Sequence, residues 1–439
     1  MLRCAAVAAL LLALAPAVAR ASGDEPDRAF GQRGTVTLKA TDADAVGGAV
    51  KVVSGHKVLA GGSAAGKLVV LRLRKTGSLD SSFGTNGQVA VDLPGTSLDG
   101  VRSLATFRDG RIIAAATLQP ASGGTQIALV RFLPTGEIDP SFGGGNGYVI
   151  TGPSGATLGA MTQDKIGNIL VAAGRPSGGG EIPYVTRYAF DGTPDPTFGA
   201  GGTVDGAALG LAGRATGVLA RADGTIVFSV GSGAGKVGPS TFGVVRLLAN
   251  GAPDPTFAGT GIVSLPLTPY SGLGAGAIGV RQGPSNSVLV AGTDVTEKGS
   301  LRAAIVRLKP DGTLDPRFAA DGVAHVARSG RDLSVTSFTR DDRGRIVLSG
   351  AGAPPDSLLA RLTVGGKHDR TFGNGGITYP NLGRPPGGDP IYTTLEAVDT
   401  DGAKVVTAGA AAGPGVLTRS LGGSTVFGGR FALTVSRLR

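Results

Sequence analysis

A chain of 439 residues that is 41% apolar and only 17% charged is too apolar to be a disordered polar chain. Its 76 glycines are about twice the ~7% average share; at roughly 1 kcal/mol per interior site they exclude long helices and suit tight turns. The formal charge of +10 can attract polyanions. The cations, however, are scattered: the densest stretch, Arg328 to Arg345, is interrupted by Asp332, Asp341 and Asp342, as on a solvated surface.

At the N-terminus, Met1-Leu2-Arg3 is followed by an unbroken apolar run from Ala5 to Ala15, and then by small residues at Ala19 and Ala21. This is the pattern of a secretory signal, too short for a permanent membrane span. We expect residues 1–21 to be a signal peptide, Ser22 to start the mature chain, and residues 22–439 to form one domain. Location is then secreted or periplasmic, with no membrane span after cleavage. The single cysteine, Cys4, lies in the leader, so the mature chain has no disulfide even though its compartment permits one. Losing Arg3 and Arg20 lowers the charge from +10 by two, to +8.

Next in order, "PDRAFGQRG" places Asp27, Phe30 and Gly34 at a spacing that returns down the whole chain. From Leu71 the fuller version reads "LRLRKTGSLDSSFGTNG", and five more follow: "VRFLPTGEIDPSFGGGNG", "TRYAFDGTPDPTFGAGG", "VRLLANGAPDPTFAGTG", "VRLKPDGTLDPRFAADG" and "ARLTVGGKHDRTFGNGG". In each, an Arg precedes a Phe by eleven residues: Arg72/Phe83, Arg131/Phe142, Arg187/Phe198, Arg246/Phe257, Arg307/Phe318 and Arg361/Phe372. An Asp stands three before each Phe: Asp80, Asp139, Asp195, Asp254, Asp315 and Asp369. Ahead of each segment lies a turn and a short apolar run, such as "RDGRIIAAA" or "DRGRIVLSG", a hairpin signal. Each unit therefore reads as two hairpins. In the second unit the strands are expected at Val101 to Phe107, Arg111 to Ala116, Gln126 to Phe132, and within Glu137 to Ile150. At the end of the chain, "ALTVSRLR" supplies a third strand with Arg437 but no fourth.

Four strands in about 54 to 61 residues, repeated in series, is the signature of propeller blades. The split unit makes sense in a ring, where neither edge stays open. The expected fold is all-β: a seven-bladed β-propeller of four-stranded antiparallel blades, closed by residues 26–38 pairing with the C-terminal blade. The "G-x-(L/P)-D-P-(S/T)-F-G-x-G-G" segments resemble the delta-60 repeat of bacterial exported proteins across nearly all the mature chain. That resemblance implies a propeller and no particular activity. Departures are Asn146 before Gly147, and Ala258 and Ala319 where Gly usually follows Phe.

The repeated residues suit a frame better than a site, because a site used once does not need a copy in every unit. The Asp reads as a turn initiator, the Arg as its buried partner, and the Phe as a plug between blades. "GGSAAGKL" from Gly61 lacks the Ser or Thr and the helix of a phosphate-binding loop, and "GAGAIG" from Gly274 lacks a nucleotide-binding surround. His56, His325 and His368 fall in different units, as independent surface residues would. No catalytic, cofactor-binding or metal residue is assigned, and no cofactor is expected. The expected function is non-enzymatic binding or scaffolding through the rim that carries the long loops, with a protein or polymer as partner. Polyanion binding would be weak and ionic, and a monomer is expected. The alternative is a hydrolase or lyase acting on a polymer, with carboxylates converging at the channel mouth.

Overall fold

The computed structural model describes residues 25–32, 34–39, 45–231, 239–271, 276–327, 332–351, 357–380, 392–412, 417–421, 424–428 and 431–438. The expected leader and the Ser22 cleavage point lie outside them.

The described chain is built of strands. After β1 (Thr35–Lys39) come β2 (Ala45–Val53), β3 (Lys57–Ala64), β4 (Lys67–Leu73) and β5 (Gln88–Val91). The second unit holds β6 (Thr96–Thr106), β7 (Ile112–Gln119), β8 (Gln126–Phe132) and β9 (Tyr148–Thr151). The third holds β10 (Thr157–Gln163), β11 (Ile169–Ser177), β12 (Gly180–Tyr188) and β13 (Thr203–Asp205). Then follow β14 (Arg214–Ala220), β15 (Ile226–Gly231), β16 (Pro239–Leu247) and β17 (Ile262–Ser271), and after them β18 (Gly276–Gln282), β19 (Val288–Val295), β20 (Leu301–Leu308) and β21 (Val323–Val326). Next are β22 (Ser334–Arg340), β23 (Ile346–Ala351), β24 (Ser357–Leu362) and β25 (Ile377–Thr378). Last come β26 (Tyr392–Asp401), β27 (Lys404–Ala412), the ribbon β28 (Leu417–Leu421) and β29 (Ser424–Gly428), and β30 (Phe431–Leu438).

Hydrogen bonding corrects the expected count of seven separate four-stranded blades. Five four-stranded sheets stand alone: β2–β5, β6–β9, β10–β13, β22–β25, and β26–β27–β30–β1. Strands β14 to β21 instead form one eight-stranded sheet, because Gly231 on β15 pairs with Gly276 on β18. The cause is local: with glycine on both sides nothing holds the two edges apart, and a Cβ on Gly231 would strike the Ala277 carbonyl. Strand limits also differ from those read in the sequence. β6 starts at Thr96 rather than Val101, whereas β8 spans Gln126–Phe132 as expected.

The inner strands β2, β6, β10, β14, β18 and β22 each lie against the next, and β26 returns against β2, so the sheets close into a propeller. Closure is by pairing: β1 runs antiparallel to β30, from Thr35 opposite Ser436 to Lys39 opposite Ala432, and Pro26 bridges Leu438. The closing segment is thus one bridge plus a strand that begins at Thr35, not a continuous strand over residues 26–38.

The core fills the seams. In β7, Ile112, Ala114, Ala116 and Leu118 pack with Leu59, Val70 and Phe83 on one side, while Ile113 and Ala115 pack with Phe142, Leu158 and Val171 on the other. A strand buried on both faces reads as a continuous apolar run, which is why "IIAAATL" shows no alternation. The closing seam joins Phe30, Val406 and Val435 to Val58, Leu71 and Leu73.

The merged sheet also corrects the expectation that every repeated Phe plugs a gap between separate blades. Phe257 is fully buried with Val280, Val288 and Val306, between two units of the same eight-stranded sheet, so it fills a fold within one sheet. Phe318 and Phe372 are fully buried too, and each lies between sheets that do stand apart. Phe318 joins the outgoing side of the large sheet to Leu333, Val335 and Phe338, and Phe372 packs with Leu395, Val398 and Leu438 of the closing sheet and its approach.

Candidate functional site

The repeated Arg, Asp and Phe come together in a latch of one construction. Within each unit the Arg Nε lies 2.7–2.9 Å from the Asp Oδ2. Its guanidinium carbon sits 4.6–4.8 Å from the centre of the Phe ring. The other Asp oxygen accepts from the backbone N–H two residues on, as from Ser141 at 3.0 Å and Thr197 at 3.0 Å, which fixes the turn.

In five of the latches the Arg also donates to the hydroxyl two residues past the Asp, and the exceptions are local. Arg246 stacks 4.7 Å over Phe257 and donates to the Thr256 hydroxyl at 2.6 Å. Arg307 lies 4.8 Å over Phe318, but Arg317 stands where five other units carry Ser or Thr and the closing unit carries Ala29, and it approaches Asp315 from solvent at 3.3 Å. Arg361 lies 4.6 Å over Phe372, and its Asp369 also takes Arg345 at 3.4 Å.

The latch then reaches into the next unit. Arg72 donates to the Pro134 carbonyl at 2.6 Å, Arg187 to Ala249 at 2.6 Å, Arg307 to Val364 at 2.9 Å, and Arg131 to Phe190. The N–H that follows the Phe donates to the same neighbouring turn, at 2.7 Å from Gly84 to Thr135 and from Ala258 to Asp311, and at 2.8 Å from Ala319 to Gly365. Ala258 and Ala319 keep this contact by adopting a left-handed φ of 52°, so Gly can be replaced there at modest strain. Gly136 cannot be replaced cheaply: its φ is +92°, and a Cβ would lie 2.9 Å from the Phe83 ring.

At the closing sheet the latch is shared between distant parts of the chain. Arg437 donates from Nε to Asp27 Oδ2 at 2.9 Å, Lys404 donates to the same oxygen at 2.9 Å, and Arg437 lies 4.7 Å over Phe30. The Asp27 N–H donates to the Arg437 carbonyl at 2.8 Å. Burial would raise the Asp27 carboxyl, but Lys404, the Ala29 N–H and Arg437 outweigh it and bring it down to about 2.

The sequence reading missed a second set of residues. Each inner strand carries a β-bulge at one equivalent place, and the bulged residues are Gly48, Arg102, Gly159, Thr216, Ile278, Thr336 and Glu396. These residues, and the next few along each strand, line a central cavity of about 830 Å³. Three positions past the bulge stand Lys51, Arg281 and Asp399, roughly 10 Å further along the axis at ~3.3 Å per residue. Asp399 Oδ2 accepts from the Val52 N–H at 2.9 Å and lies 3.4 Å from Lys51 Nζ. Arg281 donates to its own neighbour's carbonyl, Val280, at 2.9 Å and lies 5.2 Å over the Phe338 ring. Arg281 is exposed to the lumen, yet the surrounding channel wall pulls its pKa below its usual value, and the field of Asp399 only partly opposes this. The signal that could have revealed these residues is divergence: frame positions repeat between units, whereas these do not.

The remaining sequence candidates stay apart. "GGSAAGKL" runs from the end of β3 through the turn at Ala65 and Gly66 into β4, and within "GAGAIG" residues 274–275 lie outside the described chain. The histidines are less independent than expected. His325 Nε2 lies 3.3 Å from the buried Asp294, His368 lies 3.4 Å from the His325 carbonyl, and His56 pairs with Asp401 at 2.6 Å. Glu396 and Asp399, the acids lining the channel, come from one strand. Among the described residues, no group of three or more His, Cys, Asp or Glu could hold a metal ion, and no helix is long and apolar enough to cross a membrane.

Three segments match a family model described as "Domain of unknown function (DUF5122) beta-propeller": residues 108–142, 221–257 and 283–318. Each runs from the turn before the second strand of a unit to the latch Phe, which supports a β-propeller repeat. No curated protein matches the chain. Among solved structures, the chain is similar to a virginiamycin B lyase from Staphylococcus aureus in complex with quinupristin (11% identity, 92% of this chain and 98% of that one, TM-score 0.44). It is also similar to a protein of unknown function from Dyadobacter fermentans (15% identity, 77% and 94%, TM-score 0.44). A third is a puromycin-hydrolysing peptidase from Mycobacterium tuberculosis (12% identity, 91% and 56%, TM-score 0.44). Likeness at this level carries no activity across.

Proposed function

We propose that the protein is an exported, non-enzymatic binding or scaffold propeller, and that its repeated Arg, Asp and Phe belong to the frame rather than to a site. One observation carries the reading: residues that recur in every unit are engaged between neighbouring units, while those that differ from unit to unit line the channel. A ring whose wall is constant and whose lumen varies presents one composite surface to one ligand. The long loops expected to contribute, such as "LQPASGGTQ" and "GTDVTEKGS", connect second to third strands on one rim, where recognition loops usually sit on a rigid frame.

The test is a thermal-shift screen of the mature chain against divalent metals, polysaccharides, nucleic acid and cell-wall material. A ligand of the folded state raises the melting temperature with its saturation. A hit converted to product during the incubation would replace binding by catalysis. Export is checked by N-terminal sequencing of secreted material, which should begin at Ser22; sequence starting at Met1 would refute the leader.

A further inference from the structure

The geometry points to a carboxylate site inside the channel, with the Arg281 guanidinium as the group that receives the acid. The inference rests on the binding reading and names the ligand chemistry of that site: a small carboxylate, of organic-acid or acidic-sugar size. Arg281 differs from the latch arginines in its partners. Each latch Arg has an Asp at 2.7–2.9 Å, whereas Arg281 has, among the described residues, no carboxylate within 4 Å. It is held instead by the Val280 carbonyl and the Phe338 face, which fix its plane and leave N–H groups free for a ligand.

Asp399, the acid whose field reaches Arg281, is already engaged by the Val52 N–H, the Thr400 N–H at 3.0 Å and Lys51. Arg281 is open to the lumen, and a cation on the low-dielectric wall of a channel, without a close counter-ion, attracts an anion more strongly than the same group on a convex surface. The lumen carries Lys51, Arg102, Arg214 and Arg281 against Glu396 and Asp399, so its net field draws anions in, and the shape of the acceptor rather than its charge selects the ligand. A planar carboxylate matches the guanidinium fork, and about 830 Å³ is room for a sugar-sized molecule.

The experiment is titration calorimetry on the full mature chain with acetate, lactate and glucuronate, each beside its neutral amide, and with inorganic phosphate. We expect at least one acid to bind ten-fold or more tightly than its amide and more tightly than phosphate. Arg281→Gln should reduce that acid to the level of its amide while leaving the unliganded melting temperature in place, and Arg281→Lys should retain part of the preference. Equal binding of acid and amide, a preference for phosphate, or an undiminished acid preference in Arg281→Gln would each overturn the site. Should the Gln variant fail to fold, the acid–amide comparison on the unmodified chain decides alone. A polymer that binds wild type and Arg281→Gln equally, with no acid preference, keeps the binding reading and removes this one; silence across every ligand removes both.

Discussion

Replacing Phe142 by Ala tests whether the repeated aromatics are frame. The ring is fully buried in the seam shared by Ile113, Leu129, Leu158 and Val171, and Arg131 lies 4.6 Å above its centre. Truncating a buried Phe costs about 3–5 kcal/mol. Here the cation–π part is cushioned, because Arg131 also faces Phe190 at 4.3 Å and Phe107 at 5.8 Å. We expect about 3–4 kcal/mol for Phe142→Ala. Phe198→Ala should cost at least as much, since Phe198 is the ring that Arg187 stacks on. Equilibrium urea unfolding measures this by far-UV circular dichroism and tyrosine fluorescence, the chain having six Tyr and no Trp. Ile166→Ala is the control: that side chain is 74% exposed, and its loss should stay within about 0.5 kcal/mol. A Phe142→Ala protein that unfolds within about 1 kcal/mol of wild type would refute the reasoning. So would one that melts normally yet has lost a ligand, because the aromatic would then belong to a site.

Acid should loosen the closing latch in a defined window. The Asp27 carboxyl is held at about 2 against a usual value of 3.8, so its stabilisation is complete above pH ~4 and is lost as pH falls toward 2; at neutral pH it contributes about 2 kcal/mol. Asp27→Asn should therefore be less stable at pH 7 and show a flatter stability profile between pH ~4 and ~2; parallel profiles would exclude the latch as the acid-sensitive element. Deleting residues 22–38 removes most of β1 together with Phe30 and should give a loose, aggregating product, while attaching the same segment after Arg439 through a short linker should restore folding. A deletion that melts like the mature chain would disprove closure. Polyanion binding should be weak and fall steeply with salt; tight binding that survives high salt would indicate a shaped site instead.

The sequence made the frame legible because in six of the seven latches the residues are local to one motif: Arg, Asp and Phe lie within eleven positions and repeat. Closure was legible for the same reason, since Asp27 and Phe30 lack the Arg that Arg437 supplies. The number of separate sheets was not. A single contact between Gly231 and Gly276 merges two units, and glycine in a glycine-rich chain gives no sign of which neighbour it will meet. Phe257 shows the consequence: its motif reads like those of Phe318 and Phe372, yet only the backbone pairing beyond it shows that both its neighbours belong to one sheet. The channel residues were hidden differently. Arg102, Arg281 and Glu396 share no spacing or motif with one another, and only the register of the bulges shows that they occupy neighbouring levels of one lumen.

The latches also set an order of events during folding. Arg72 reaches Pro134 across 62 residues, and Arg246 reaches Pro310 across 64, so each neighbour contact can form once a single further unit has emerged. The pair Arg437–Asp27 spans 410 residues. Bringing together ends that far apart costs roughly 1.7 kcal/mol more loop entropy than a closure over about 62 residues. Assembly of neighbours should therefore run ahead, and the ring should shut last, from an open arc whose final seam is still exposed. During that interval the free edges of the arc can pair with another chain as readily as with each other. Refolding yield should then fall with protein concentration, whereas the rate at which secondary structure appears should not.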